Sequence, residues 1–275
     1  MTPATEATQE REVFPNAPLQ LVAVEITYPA TDTRFDPRLF GAMQEVLGLD
    51  TEVQIAGQIR VLPGSPGPDG TASAEAILFR MTNSDRTVSV SAWPTSLIVE
   101  SSEYGRYEGF RSMIRAVVDV YAIFMAPAAV SRFGMRYIDE MHVAAPISSV
   151  ADWATYVNPL LLAPAGIVEE RVTSLATGFS VELGDYRSIN VRCATTPSRA
   201  MASEEHLLLR ERPNTPALVL DIDAIFEPPQ PQPTPVTGEL VVGLANGLRP
   251  AVRRVFDAAF TEEARSTFRT TEATP

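Results

Sequence analysis

The chain has 275 residues, of which 45% are hydrophobic and 20% charged, so it holds enough apolar material for a sizeable core. Its net charge of −12 makes nucleic acid and anionic lipid unlikely partners, because binding to either needs clustered positive charge. The apolar runs are too short to span a bilayer, residues 1–12 lack the features of an export signal, and a single cysteine excludes an internal disulfide, so we expect a cytoplasmic protein without membrane contact.

All 22 basic residues are arginine, and lysine is absent from the chain. A GC-rich coding bias would account for this, since Ala, Pro and Asp are also frequent. The alternative is that lysine is excluded because its amine is a target of acylation or of protein tagging. Under both interpretations the arginines favour bidentate pairing with carboxylates.

The first half of the chain predicts several strands and two helices. Hydrophobic alternation indicates strands at residues 19–28, 53–62, 74–81, 87–92 and 96–100. A helix over residues 35–47 is opened by Asp36 as N-cap and Pro37 in the first turn. A longer helix over residues 102–125 carries an aromatic and aliphatic stripe. Residues 63–70, rich in Pro and Gly, predict a surface loop.

The second half repeats this pattern of strands followed by a long helix. Strands are predicted at residues 132–143, 171–183, 186–194, 205–212 and 217–226. Gly184 and Asp185 predict a hairpin turn, and residues 153–162 a short helical segment. The Pro-rich residues 228–235 predict a stiff connection to a helix over residues 238–256. A short final helix starts at Thr261 as N-cap.

These elements predict an α+β fold made of two pseudo-repeated halves of antiparallel strands, each covered by a long helix. The N-terminal half is assigned to residues 15–146 and the C-terminal half to residues 147–268. Residues 1–14 and 269–275 are predicted to be disordered tails, because they offer almost nothing to bury.

Short motifs spread over residues 14–268 carry a resemblance to a known group of proteins. They are the start Asn16-Ala17-Pro18-Leu19, the strand Arg132-Phe133-Gly134-Met135-Arg136-Tyr137-Ile138-Asp139 and the closing Thr261-Glu262-Glu263-Ala264. With these motifs the chain resembles a sporadically distributed family of uncharacterised bacterial proteins, in which the strand ends in Asn where Asp139 stands here. The resemblance implies a bacterial origin and one architectural unit. It assigns no catalytic residue, and the patchy distribution resembles that of genes on mobile elements.

The search for catalytic chemistry finds no established motif. His142 and His206 lie at no metal-ligand spacing from each other or from Cys193, so no zinc site of the ordinary type is expected. Cys193 is predicted to be a buried structural residue. No phosphate-binding loop, dinucleotide fingerprint or serine-hydrolase motif is present. The sequence therefore predicts no catalytic residue, no metal and no cofactor.

Two pairs of charged residues are the best candidates for binding a ligand or a partner. Asp221 and Asp223 share one face of a strand and could hold a divalent cation, or pair with an arginine such as Arg210. Arg132 and Arg136 also share a face and could grip a carboxylate or phosphate, or form structural salt bridges with Asp221 and Asp223. Both alternatives stay open for each pair.

Two functions follow from these observations. The first is a non-enzymatic component that binds a protein partner, of the accessory or antitoxin-like kind found in bacterial defence or mobile-element loci. The alternative is a small-ligand-binding or enzymatic α+β protein with a pocket between sheet and helix. Missing catalytic motifs and the acidic charge favour the first, because an acidic surface suits a basic protein partner.

Overall fold

A computed structural model describes residues 14–29, 36–48, 59–66, 72–76, 79–204, 206–231 and 234–270. The strands in these ranges are β1 (Leu19–Thr27), β2 (Ile59–Pro66), β3 (Ala72–Ala76), β4 (Phe79–Thr82), β5 (Val88–Trp93), β6 (Ser96–Ser101), β7 (Arg132–Met141), β8 (Leu175–Gly184), β9 (Arg187–Thr196) and β10 (Ala217–Phe226). The α-helices are α1 (Arg38–Leu47), α2 (Tyr107–Met125), α3 (Gly238–Ala259) and α4 (Glu262–Arg269).

Eight strands form one antiparallel sheet in the order β4-β5-β6-β1-β7-β10-β9-β8. β1 and β7 are the central pair, with Val24 opposite Met135. β4 and β8 are the two edge strands of this sheet, and β2 pairs with β3 in a separate hairpin. The α+β prediction is confirmed by this mixture of helices with an antiparallel sheet.

Side-chain alternation decides which face of the sheet carries the core. In β1, Val22, Val24 and Ile26 are fully buried while the residues between them are partly exposed. α2 and α3 pack against each other, and the apolar stripe of α2 enters the same core cluster, with Ile114 and Val117 fully buried. Burying this stripe supplies most of the helix stability, because amphipathic helices gain little from propensity alone. We call this side of the sheet the helix face and the other side the open face.

Several element boundaries differ from the predicted ones. α2 begins at Tyr107, after Arg106 in extended conformation, and not at residue 102, because Ser101 still belongs to β6. β2 continues to Pro66 and so takes in the first residues of the predicted loop at 63–70, while the strand predicted at 53–62 lies partly outside the described residues. The predicted strand at 74–81 is split into β3 and β4.

In the described parts of the second half, one predicted strand is absent and the predicted helical segment is divided into short pieces. Residues 206–212 form no strand, because β10 already pairs with β7 and β9 and leaves no free edge beside it. In place of one helical segment at 153–162, three short 3-10 helices span Val150–Thr155, Pro159–Leu161 and Ala163–Ile167. Prolines in this stretch lack the amide donor that a continuous helix needs.

The ends of the chain are more ordered than the predicted tails. The ring of Phe14 lies 6.4 Å from Phe256 and 5.7 Å from Phe268, so Phe14 belongs to the packed structure. α4 is capped by the Thr261 side chain as predicted, and it includes Arg269. Residues 1–13 and 271–275 of the predicted tails lie outside the described residues. No helix of the described chain has the length and apolar character needed to cross a bilayer.

Candidate functional site

The four predicted site residues meet on the open face of the sheet. Arg136 on β7 donates from Nε and Nη2 to the two carboxylate oxygens of Asp221 on β10, at 2.8 Å each. Arg132 donates from Nη1 to Glu25 on β1 at 2.9 Å and lies 3.5 Å from Asp223. In the antiparallel register Asp223 lies directly opposite Arg136 across the β7–β10 pair. Each arginine therefore reaches its aspartate diagonally across the two strands.

Gly134 allows Arg132 to cross its own strand toward Glu25. A Cβ atom at this position would lie 2.9 Å from Nη1 of Arg132. The side-chain gap that the sequence predicts between the two arginines is therefore filled by the guanidinium of Arg132. Glu25 is opposite Gly134 in the β1–β7 register, which explains why this arginine reaches β1 as well as β10.

The charges of this cluster balance one another. Arg192 on β9 approaches Asp221 at 3.6 Å, so three guanidinium groups face the three carboxylates of Glu25, Asp221 and Asp223. The hydrogen bonds to Asp221 raise the pKa of Arg136, whereas burial raises the pKa of Asp223. Arg136 thus holds the carboxylate of Asp221 bidentately, while Arg132 bridges the carboxylates of Glu25 and Asp223. Within the described ranges no group of three or more His, Cys, Asp or Glu is arranged to hold a metal ion.

A second polar network, which the sequence analysis missed, joins β7 to the connection between β9 and β10. Glu140 is almost fully buried and accepts hydrogen bonds from the backbone N–H of Ala200 at 2.8 Å and of Met201 at 3.2 Å. His142 contacts Glu140 through Nε2 at 3.1 Å and the Thr215 hydroxyl through Nδ1 at 3.0 Å. Burial raises the pKa of Glu140, but the hydrogen bonds from His142 and the backbone lower it by more.

This network resembles a hydroxyl–imidazole–carboxylate triad in its order of contacts. Its carboxylate is also fixed by two backbone amides, so its evident role is to anchor residues 197–216 against β7. None of its residues lines either of the two cavities described for the protein. No sequence motif could have shown it, since Glu140 and Ala200 are 60 positions apart.

Asp139 is the most perturbed carboxyl group of the described chain. Its side chain lies in the core at 2% exposure, and burial raises its pKa to about 7, with a partial opposing effect from Arg212. Burial likewise lowers the pKa of Arg212 to about 10. Cys193 is buried as predicted, and burial raises the pKa of its thiol to about 11.

An apolar groove with a volume of about 540 Å³ lies on the helix face at the β8 edge. We call it the β8 groove. It lies between α3, β8 and β9, and the 3-10 segment after β7 lines it with Asn158, Leu160, Leu161 and Pro164. Ile189 and Val191 of β9 lie in it at 1% exposure.

The rim of the β8 groove exposes large apolar side chains to solvent. Leu160 is 81% exposed, Phe179 49% and Val181 40%. Arg254 on α3 is the one charged residue that lines the groove, and no carboxylate of the described chain pairs with it; its neighbour Arg253 pairs with Asp257 instead. The groove is thus an apolar surface with a single unpaired cation, which suits an apolar partner that carries an acid.

The same position over the other edge strand is covered by a helix. α1 packs beside α2, and its Phe40 ring meets Phe79 of β4 edge-on at 5.7 Å. Leu39 and Met43 of α1 are fully buried there.

Comparisons of the whole chain with protein-family models, with curated proteins and with solved structures give no match.

Proposed function

We propose that the protein is a non-enzymatic binding component that recognises a protein partner through the β8 groove. The observation that carries this proposal is the exposure of Leu160, Phe179 and Val181 around one continuous apolar depression. Apolar side chains scattered singly over a surface need no explanation, whereas a contiguous patch beside a groove is typical of an interaction site.

The edge position of β8 strengthens the proposal. β8 spans ten residues with Glu182 as its one charge and no proline, and β9 is its one partner in the sheet. Proteins usually blunt such an edge with charge, proline or a covering segment, because free backbone donors and acceptors invite another chain. β8 has only that one charge and no proline, and the 3-10 segment beside it leaves Phe179 and Val181 partly exposed, as a binding surface requires.

The biological setting of the proposal is an accessory or antitoxin-like role in a bacterial defence or mobile-element locus, in the cytoplasm. The family resemblance and its patchy distribution support this setting. The net charge of −12 adds support, because it favours encounter with a basic protein partner over nucleic acid.

We further propose that the chain contains two repeated halves. From one edge to the centre of the sheet the strand order is β4-β5-β6-β1, and from the other edge to the centre it is β8-β9-β10-β7. A long helix follows the strands of each half in the chain, namely α2 and α3. This correspondence places β7 in the second half, so the boundary would fall between α2 and β7 and not after residue 146.

A second candidate function is the binding of a small apolar acid in the same groove. The groove lies between the sheet and α3, and its volume of about 540 Å³ is within the range of small-ligand sites, roughly 300–1,000 Å³. Arg254 would pair with the carboxylate of such a ligand. Ligand sites usually bury most of the ligand, however, and the half-exposed rim favours a macromolecular partner.

Co-purification from the native host tests the proposal. The full chain is compared with Phe179→Glu, in the groove, and with Ile123→Glu, which places the same charge on a side chain of α2 that is 75% exposed. We expect a partner to be retained by the wild type and by Ile123→Glu and to be lost with Phe179→Glu. Recovery of the free chain alone, at low and at high salt, would overturn the proposal.

A further inference from the structure

The covering of β4 by α1 shows what this fold places over an edge strand. α1 is ten residues long and seats Leu39 and Met43 in the core at 0% exposure. Phe40, beside them, stacks edge-on against Phe79 of the edge strand. A helix of fewer than three turns, with three large apolar residues in the spacing i, i+1 and i+4, therefore closes the space between a long helix and an edge strand.

The β8 edge has the corresponding strand and long helix but no covering helix among the described residues. Phe179 and Val181 of β8 belong to the helix face, since they pair with the buried Val191 and Ile189 of β9. The 3-10 segment that follows β7 lines the groove at Asn158, Leu160, Leu161 and Pro164, and the Thr177 hydroxyl of β8 donates to the Leu161 carbonyl at 3.1 Å. This segment still leaves Phe179 and Val181 partly exposed, and no α-helix of the described residues covers them as α1 covers β4.

We infer that the β8 groove binds an amphipathic helix of another protein, seated as α1 is seated over β4. This inference rests on the proposed partner-binding function and names the kind of segment that is bound. The helix would bring two or three large apolar side chains on one face, spaced as Leu39, Phe40 and Met43 are. A carboxylate on its flank would pair with Arg254, the one charged and unpaired residue of the lining.

Residues 1–13 and the described helices of a second copy are poor occupants of the groove. Residues 1–13 contain Met1 and Val13 as their only large apolar residues, too few to fill the space. The described helices of a second copy have their apolar faces already packed: Met43 in α1 and Phe268 in α4 are buried within their own molecule. A second copy would therefore have to unfold an element before it could supply the helix.

A peptide of known sequence can probe the groove directly. The probe is residues 36–48 of this chain, stapled on the polar face to hold the helix, since so short a helix is marginal in water. It carries the α1 apolar spacing and Glu45 as the carboxylate. A scrambled peptide of the same composition is the control, and binding to the full-length protein is followed by fluorescence anisotropy.

We expect the α1 peptide to bind the wild type at least tenfold more tightly than the scrambled peptide does. Val181→Glu and Phe179→Glu should each weaken binding tenfold or more, and Arg254→Gln severalfold. Ile123→Glu should bind as the wild type does. Circular dichroism and urea unfolding of each variant show whether the folded state is kept; the partial exposure of both groove residues makes these substitutions tolerable.

Other outcomes overturn the inference in distinguishable ways. Equal affinity for both peptides, or equal loss with Ile123→Glu, shows that the groove does not select a helix. Binding of decanoate that depends on Arg254, without peptide binding, assigns the groove to a small apolar acid. Concentration-dependent dimers that Val181→Glu abolishes assign it to a second copy. If the peptide fails but a native partner is still lost with Phe179→Glu, partner binding stands and the helical occupant is wrong.

Discussion

The two edge strands of the sheet have equivalent places in it and different surroundings. At β4, Phe79 is fully buried between α1 and the core, with Phe40 and Tyr121 as ring neighbours. At β8, Phe179 points to the same side of the sheet and is 49% exposed. Phe79 therefore stabilises the fold through its burial, whereas the exposed part of Phe179 can contact a partner. The difference lies in the covering element and not in the strand itself.

The largest expected effect comes from truncating these two aromatic side chains. Phe79→Ala should lower the free energy of unfolding by about 3–5 kcal/mol, because it removes a fully buried ring and leaves a cavity. Phe179→Ala should change it by less than about 1 kcal/mol, since half of its ring is already in water. Urea unfolding of both variants measures the contrast. Similar losses at the two positions would show that the β8 edge is covered in solution.

A second expected effect concerns Asp139 on β7, one of the two central strands of the sheet. Burial raises the pKa of Asp139 from 3.8 to about 7. Between these values the folded chain keeps a proton that the unfolded chain has released, so stability falls as pH rises toward 7 and levels off above it. Asp139→Asn cannot ionise and should remove a decline of roughly 1–2 kcal/mol between pH 5 and 7.

Urea unfolding at several pH values measures this decline, with the exposed Glu103→Gln as the matched control. The Asp139→Asn curve should be flatter than that of the wild type and should lie above it at pH 8. Parallel curves for the wild type and Asp139→Asn would mean that the carboxyl group is ionised in the folded protein.

The smallest expected effect concerns the free energy of unfolding that the ion-pair cluster of the open face contributes, compared with an exposed ion pair on α3. Asp221→Asn weakens two hydrogen bonds from Arg136 and the contact with Arg192, and should cost about 1 kcal/mol, a value held down by the 45% exposure of the Arg136 side chain. Asp257→Asn, in an exposed pair on α3, should cost less than about 0.5 kcal/mol. If the two substitutions lower the free energy of unfolding equally, the open-face cluster contributes no more stability than an exposed surface ion pair.

Local patterns in the sequence predicted much of the fold. β1, β5, β6, β7, β9 and β10 lie close to their predicted ranges, because alternation of side chains directly records a strand with one buried face. The capping threonine at residue 261 and the hairpin turn at Gly184 and Asp185 were found from residue type alone. The strand predicted at residues 205–212 was wrong for the described residues 206–212. These residues lie beside the turn at Arg86, where the Leu208 amide donates to the Arg86 carbonyl, and they do not join the sheet.

The candidate sites were only partly predictable. Arg132, Arg136, Asp221 and Asp223 were singled out because residues two or four apart on a strand share a face, but the number of partners around them depends on which strands are neighbours. Glu25 and Arg192 join them from β1 and β9, positions that no local pattern connects. A pocket between sheet and helix was part of the alternative prediction, but its place at the β8 edge was not predicted, because it depends on which elements pack over that edge strand.

The sequence by itself determined the class of elements, their approximate bounds, the acidic charge and the arginine-only basic surface, since each of these follows from residue type and short-range spacing. The tertiary structure alone decided that Phe79 of β4 is covered while Phe179 of β8 is half exposed, that Asp139 is buried, and that Arg254 forms no ion pair with a carboxylate of the described chain. The exposure of a side chain and the ion pairs that it forms depend on the residues that pack against it. In this sheet those residues come from distant parts of the chain.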